Sequence, residues 1–185
     1  TYSFQKASLD IRGYKKLNES LVAAARVNGG SIYYAKQDSL PADIRFYNGG
    51  SSEVRGWGRQ ELGPKEAVFD SLGAFSGYVP TGGKATLSFN FELRQDVDRF
   101  IKGLSFAGFI DGGQVWKTIR TTENRPIQFG VGGGVRYESP IGPIRVDLGY
   151  KVNPTDEDLN IYQGDKSMSS AWNRWHFHFS IGQAF

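Results

Sequence analysis

The chain has 185 residues, 22 Lys and Arg against 19 Asp and Glu, 39% hydrophobic residues, 24 glycines and no cysteine. That length suits one domain or a piece of a larger closed architecture, and the missing cysteine excludes disulfide frameworks, thiolate zinc sites and cysteine nucleophiles. A net charge of +3 is too small to argue for nucleic acid, and no apolar run approaches the ~18 residues of a membrane helix, although a membrane β-barrel alternates polar and apolar residues and keeps a low mean hydropathy.

Alternation is what the chain shows. Residues 4–14 place Leu9 and Ile11 on one parity and Ser8, Asp10 and Arg12 on the other. A phase slip near Gln5 and Lys6 predicts a bulge or a late strand start. Residues 20–28 follow the rule loosely. Next, Leu87, Phe89, Phe91 and Leu93 oppose Thr86, Ser88, Asn90, Glu92 and Arg94. Residues 104–116 follow loosely again, with Ala107, Phe109 and Asp111 on the inward parity. Phe129, Val131, Val135 and Tyr137 then oppose Gln128, Gly130, Gly132, Gly134 and Arg136. Ile144, Val146, Leu148 and Tyr150 oppose Arg145, Asp147 and Gly149. Last and cleanest, Trp175, Phe177, Phe179, Ile181 and Phe185 oppose His176, His178, Ser180, Gly182 and Ala184.

About seven strands and no convincing helix result. Their connections alternate between short (15–19, 95–103, 139–143) and long (30–83, 117–126, 152–173). Outer-membrane barrels have short periplasmic turns, longer extracellular loops and strands of ~9–11 residues. The other candidate is a soluble β-sandwich or lipocalin-like barrel, whose strands alternate over a packed core. Two features favour the membrane. The polar face is rich in Gly, Ser, Ala and Asn, as in a hydrated lumen. Aromatic residues such as Trp116, Tyr137, Tyr150 and Trp175 gather at strand ends, where interfacial girdles sit.

Four segments are more specific: RFYNGGSSEVRGWGRQELGP at 45–64, FIDGGQVW at 109–116, GVGGGVRYESPIGPIRVDLGYKV at 130–152, and a terminal FSIGQAF. In this order and spacing they resemble the C-terminal barrel of the bacterial outer-membrane assembly factor superfamily (BamA/TamA-like, bacterial surface antigen family). The resemblance runs over residues 1–185. It implies an all-β, transmembrane antiparallel β-barrel in the bacterial outer membrane, of which these are about seven strands of a larger, sixteen-stranded whole. Residues 30–83 would form a long inserted extracellular loop. The earlier strands and the periplasmic POTRA domains would lie outside this chain, on the same or another polypeptide. Seven strands alone would leave open edges in lipid, each unpaired group costing several kcal/mol. The chain is therefore expected to be a fragment, a cleaved half or a subunit; a small homo-oligomeric barrel is the other option. Thr1 opens no signal peptide, so any targeting segment is expected elsewhere.

Within the long loop, Arg55 follows a Gly/Ser-rich approach and precedes Gly56, so the backbone can fold back and approach a wall closely. A guanidinium brought into a lumen needs carboxylate partners. The bland alternative is a solvated loop arginine. The resemblance implies instead that Arg55 reaches Asp111 and Glu92, with Phe109 on the same inward face and Trp57 beside the pair. Gly182, near the end of the last strand, and the C-terminal aromatic Phe185 are read as a weakly closed seam and a sorting signal.

Other features are weaker. His176 and His178 have no third ligand at a sensible spacing, so they read as lumen-lining residues rather than a metal site. Asp156, Glu157, Asp158 and Asp165 read as a solvated acidic loop. GVGGG at 130–134 lies within a strand with no helix following, so its glycines permit close backbone approach rather than phosphate binding. No catalytic set, cofactor or metal is expected. The resemblance implies an assembly factor that inserts client outer-membrane proteins, with lipid, clients and the missing strands and POTRA domains as partners. The alternative is a barrel that anchors or exports a passenger, of the two-partner secretion or patatin-like lipase type.

Overall fold

The computed structural model describes residues 4–34, 40–98, 101–118, 125–140, 142–162 and 172–182. Strands β1 (Phe4–Lys16) and β2 (Leu21–Tyr34) form the first hairpin. The long connection after β2 contains a short ribbon, β3 (Lys65–Phe69) and β4 (Phe75–Pro80). The wall resumes with β5 (Ala85–Asp96), β6 (Leu104–Trp116), β7 (Gln128–Ser139) and β8 (Gly142–Lys151). One turn of α-helix, α1 (Asp156–Leu159), and a 3-10 turn over Trp172–Arg174 precede the last strand, β9 (Trp175–Ile181). The wall is one antiparallel sheet of seven strands in the order β1-β2-β5-β6-β7-β8-β9.

The two faces divide as the alternation requires. Phe177 and Phe179 are each 62% exposed and Leu9 is 65% exposed, whereas Glu92, Asp111 and Asp147 on the opposite parity are fully buried. A continuous apolar outer face over a charged interior is the inverse of a water-soluble sandwich and matches lipid outside. No described helix is long and apolar enough to cross a membrane; the crossing elements are strands. Among the described residues the sheet does not close on itself: β1 and β9 each keep one unpaired edge, as expected of part of a larger barrel.

Two expectations change. The first hairpin is in continuous register from Phe4, with no bulge near Gln5 and Lys6. Lys6 keeps the inward parity: its Nζ donates to the Ile44 carbonyl at 2.8 Å and lies 4.4 Å from the Phe46 ring centre. Gln5 is simply a polar residue on the outer face. The second change is the β3–β4 ribbon, which lies within the long connection expected at 30–83. Its turn is built by Asp70, whose Oδ1 accepts the N–H groups of Leu72 and Ala74.

Candidate functional site

The β2–β5 connection folds back into the sheet's concave side. Antiparallel bridges tie Phe46 to Gly83 and Asn48 to Leu62, closing residues 46–62 into a knot. Gly49 and Gly50 turn the chain at φ +99° and +116°, conformations that a Cβ opposes. Gly50 N–H donates to the Trp57 carbonyl at 3.1 Å, and Trp57 N–H to the Val54 carbonyl at 3.1 Å. Val54, Trp57 and Leu62 pack as a buried apolar cluster. Arg55 is the apex of this knot.

The Arg55 side chain is 1% exposed. Its Nε and Nη2 form a fork on Asp111, at 2.7 and 2.8 Å to the two carboxylate oxygens, while Nη1 donates to Glu92. Its backbone N–H also donates to Asp111 at 3.1 Å. The guanidinium carbon lies 3.6 Å from the centre of the Phe109 ring, which supplies a cation–π face. Burial disfavours the charge, but bonding to Asp111 and the fields of Asp111 and Glu92 outweigh it and raise the Arg55 pKa above its ordinary value. Both carboxylates have further donors. Asn90 Nδ2 reaches Asp111 at 2.9 Å, and Arg94 Nε and Arg136 Nη2 reach Glu92 at 2.6 and 3.3 Å. Arg136 Nη1 extends the network to Asp147 at 2.6 Å.

The wall is shaped to receive this assembly. A Cβ at Gly130 would meet the Gly56 nitrogen at 2.9 Å, and one at Gly149 would strike the Arg55 carbonyl. At Gly132 it would strike the Leu148 carbonyl and the Phe109 ring, and at Gly134 the Asp147–Arg136 pair. Glycines 130, 132 and 134 all lie on the inward parity of β7. Each leaves room for one part of the site. The opposite end of the Arg55 peptide meets β9: His178 Nε2 lies 2.9 Å from the Arg55 carbonyl. A carbonyl only accepts, so the ring carries a proton on Nε2.

A second buried ionic site joins the β2–β5 and β8–β9 connections to the ends of β7 and β8. Lys65, at the start of β3, pairs with Asp158 of α1, and both side chains are 1% exposed. Asp158 also accepts from Gln128 Nε2 and, at 2.8 Å each, from the Thr155 N–H and hydroxyl. Lys151 Nζ donates to the Asp158 carbonyl at 2.9 Å. Beside it, Tyr78 N–H donates to the Asn160 carbonyl and Tyr162 N–H to the Tyr78 carbonyl, both at 2.9 Å, so the ribbon is bonded to the β8–β9 connection. Burial would raise the Asp158 pKa, but Lys65, Thr155 and Gln128 hold it below the ordinary 3.8.

Of the residues singled out from sequence, Arg55, Gly56, Asp111, Glu92 and Phe109 converge here. Trp57 belongs instead to the Val54–Leu62 cluster, with Lys151 Nζ 5.8 Å from its ring centre; the ring against the guanidinium is that of Phe109. Gly182 lies just beyond β9 at φ +108°, and its N–H donates to the Pro143 carbonyl at 2.8 Å. Phe185 lies outside the described residues, as does Asp165. Asp158 is not part of a solvated acidic loop. The Thr155-x-x-Asp158 spacing is a capping box that could have flagged it. Arg136 and Asp147 lie on the inward parity without an assigned role, and His178, read as a lumen-lining residue, takes the Arg55 carbonyl as its partner. Among the described residues, no group of three or more His, Asp and Glu is placed to hold a metal ion.

An Omp85 superfamily domain model matches residues 1–185. The chain is 26% identical over 151 residues to the outer membrane protein assembly factor BamA of Neisseria meningitidis serogroup B, covering 68% of this chain and 18% of the relative. It is 25% identical over 188 residues to the BamA of Nitratidesulfovibrio vulgaris, covering 98% of this chain and 20% of the relative. The chain thus spans about one fifth of the length of these curated relatives. The fold resembles the crystal structure of BamA from Haemophilus ducreyi lacking POTRA domains 1–3, with a TM-score of 0.68 at 20% identity, covering 84% of this chain and 33% of that one.

Proposed function

The chain belongs to the Omp85 superfamily, and on that premise we propose that it is the C-terminal barrel portion of an outer-membrane assembly factor that inserts client β-barrel proteins. The proposed mechanism is non-enzymatic. The β2–β5 connection enters from the extracellular end and is held inside by Arg55, while the seam formed by β9 and the completing strands opens. An exposed strand edge then offers N–H and C=O groups to an incoming client strand, as in β-augmentation.

The observation that carries this reading is the Arg55 assembly. A buried guanidinium forked onto Asp111 and bonded to Glu92 is a specific, directional attachment. It spends polar groups on fixing one loop in a lumen whose wall carries matching glycine seats. A barrel that only anchored itself would not need its interior built around a loop. Naming of two relatives as assembly factors supports the same class.

The test is an Arg55→Ala substitution in the full-length protein, with its own membrane abundance matched to the parent. Client barrel proteins should fall in the outer membrane. Unchanged clients with loss of an attached or paired secreted passenger would replace this reading with passenger export.

A further inference from the structure

Resting on that reading of the loop, we propose that His178 couples the terminal strand to the Arg55 site, so that displacement of β9 and release of the loop tip are linked events. His178 is thus a positioning residue for the seam.

Arg55 is gripped from two directions. Its N–H and guanidinium attach to Asp111 on β6 and Glu92 on β5. Its carbonyl points the other way, over Gly149 of β8 and onto His178 of β9. One residue therefore spans the concave side from β5 to β9, across the intervening strands. β9 is the wall strand with the least backbone restraint of its own. It has seven residues, against ten in β8 and twelve to fourteen in the others. Among the described residues it pairs with β8 alone.

The placement of His178 is suited to a specific bond. The residue is 8% exposed and stands opposite Asp147 in the β8–β9 register. The His176 ring lies 4.8 Å away, which limits rotation of the imidazole. A movement of β9 away from β8 by one strand spacing, ~4.8 Å, would break the bond to the Arg55 carbonyl. By reciprocity, loosening the loop tip would remove one restraint on β9.

The experiment uses the full-length protein in lipid bilayers, with Val54→Cys as a labelling site; Val54 is fully buried in the loop tip beside Arg55, against Gly113 of β6, so a thiol there is reached only when the tip leaves the wall. These 185 residues contain no cysteine, and any elsewhere in the protein is replaced by serine. His178→Phe keeps a ring but removes the donor. It should raise the rate of maleimide labelling roughly two- to tenfold, the loss of one buried hydrogen bond, with heat-dependent gel mobility unchanged. His178→Gln, whose amide can donate, should label close to the parent rate. Equal labelling of His178→Phe and parent would overturn the coupling, and so would a Gln variant that behaves like Phe. Arg55→Ala separates the two levels. If it labels faster while His178→Phe does not, only the coupling fails; if neither does, the held-loop reading fails with it. A second measurement covers poor folding of the His178 variants: Arg55→Ala should speed hydrogen exchange of the β9 amides, and unchanged exchange would also overturn the proposal.

Discussion

Replacing Arg55 by alanine removes a cation from between two carboxylates whose remaining support is unequal. Glu92 retains Arg94 Nε at 2.6 Å and Arg136 Nη2 at 3.3 Å. Asp111 retains the Asn90 amide at 2.9 Å and the backbone N–H of residue 55, and has no other ion pair among the described residues. Breaking a buried pair by deleting one partner costs about 3–5 kcal/mol, mostly through the charge left behind. Most of that cost should fall on Asp111. In double-mutant cycles, Arg55→Ala with Asp111→Asn should give a coupling energy of about 2–3 kcal/mol, and Arg55→Ala with Glu92→Gln less than about 1 kcal/mol. The assay is urea unfolding of the full-length protein refolded into lipid vesicles, followed by tryptophan fluorescence and heat-dependent mobility. A Glu92 coupling equal to or larger than that of Asp111 would refute the assignment of Asp111 as the carboxylate that depends on Arg55.

Asp158→Asn should uncouple the ribbon, raising protease cleavage within residues 65–80 while the Arg55 coupling energies stay at parental values. Because Asp158 sits below its ordinary pKa, its contribution is complete above about pH 4 and is lost as pH falls through the folded value; ribbon protection should be flat from about pH 5 to 8 and decline only under stronger acid, and a loss between about pH 6 and 7 would contradict this. Gly132→Ala should destabilise by about 1–3 kcal/mol, because the added methyl meets both the Leu148 carbonyl and the Phe109 ring that covers the guanidinium, whereas Gly108→Ala, on the outer face with nothing within 4 Å of a Cβ, should leave unfolding midpoints unchanged. Phe177→Arg places a charge on the outer face and should cost about 2–4 kcal/mol at the bilayer midplane, less near an interface; a neutral result in vesicles would argue that Phe177 does not face lipid.

The wall was legible because one physical rule governs it. Lipid on one side and water or buried charge on the other impose a period of two, and Leu87–Arg94 and Trp175–Ile181 obey it. Parity alone also put Asp111, Glu92, Arg136, Asp147 and His178 on the inner face, without saying which would touch. That depends on how far residues 46–62 reach into the sheet, which the turn at Gly49–Gly50 and the bridges at Phe46 and Asn48 decide. The resemblance supplied the Arg55 partners ahead of the geometry. The packing partners of Trp57 and Asp158 were not legible in the sequence, for a shared reason. Loop residues obey no repeat, so burial there follows from meetings between segments distant in sequence, such as Lys65 with Asp158 across 93 positions.

The glycine row on β7 carries a consequence for biogenesis. With the loop absent, Gly130 and, across on β8, Gly149 would line shallow hollows with nothing to fill them, Phe109 beside Gly132 would lose the cation it covers, and Asp111 would keep only the Asn90 amide and no counter-charge. This stretch of wall thus has little reason to settle into shape by itself. The returning segment serves as a mandrel around which the curved staves are set, and curvature and cargo of the lumen should appear together during refolding, in a single kinetic phase.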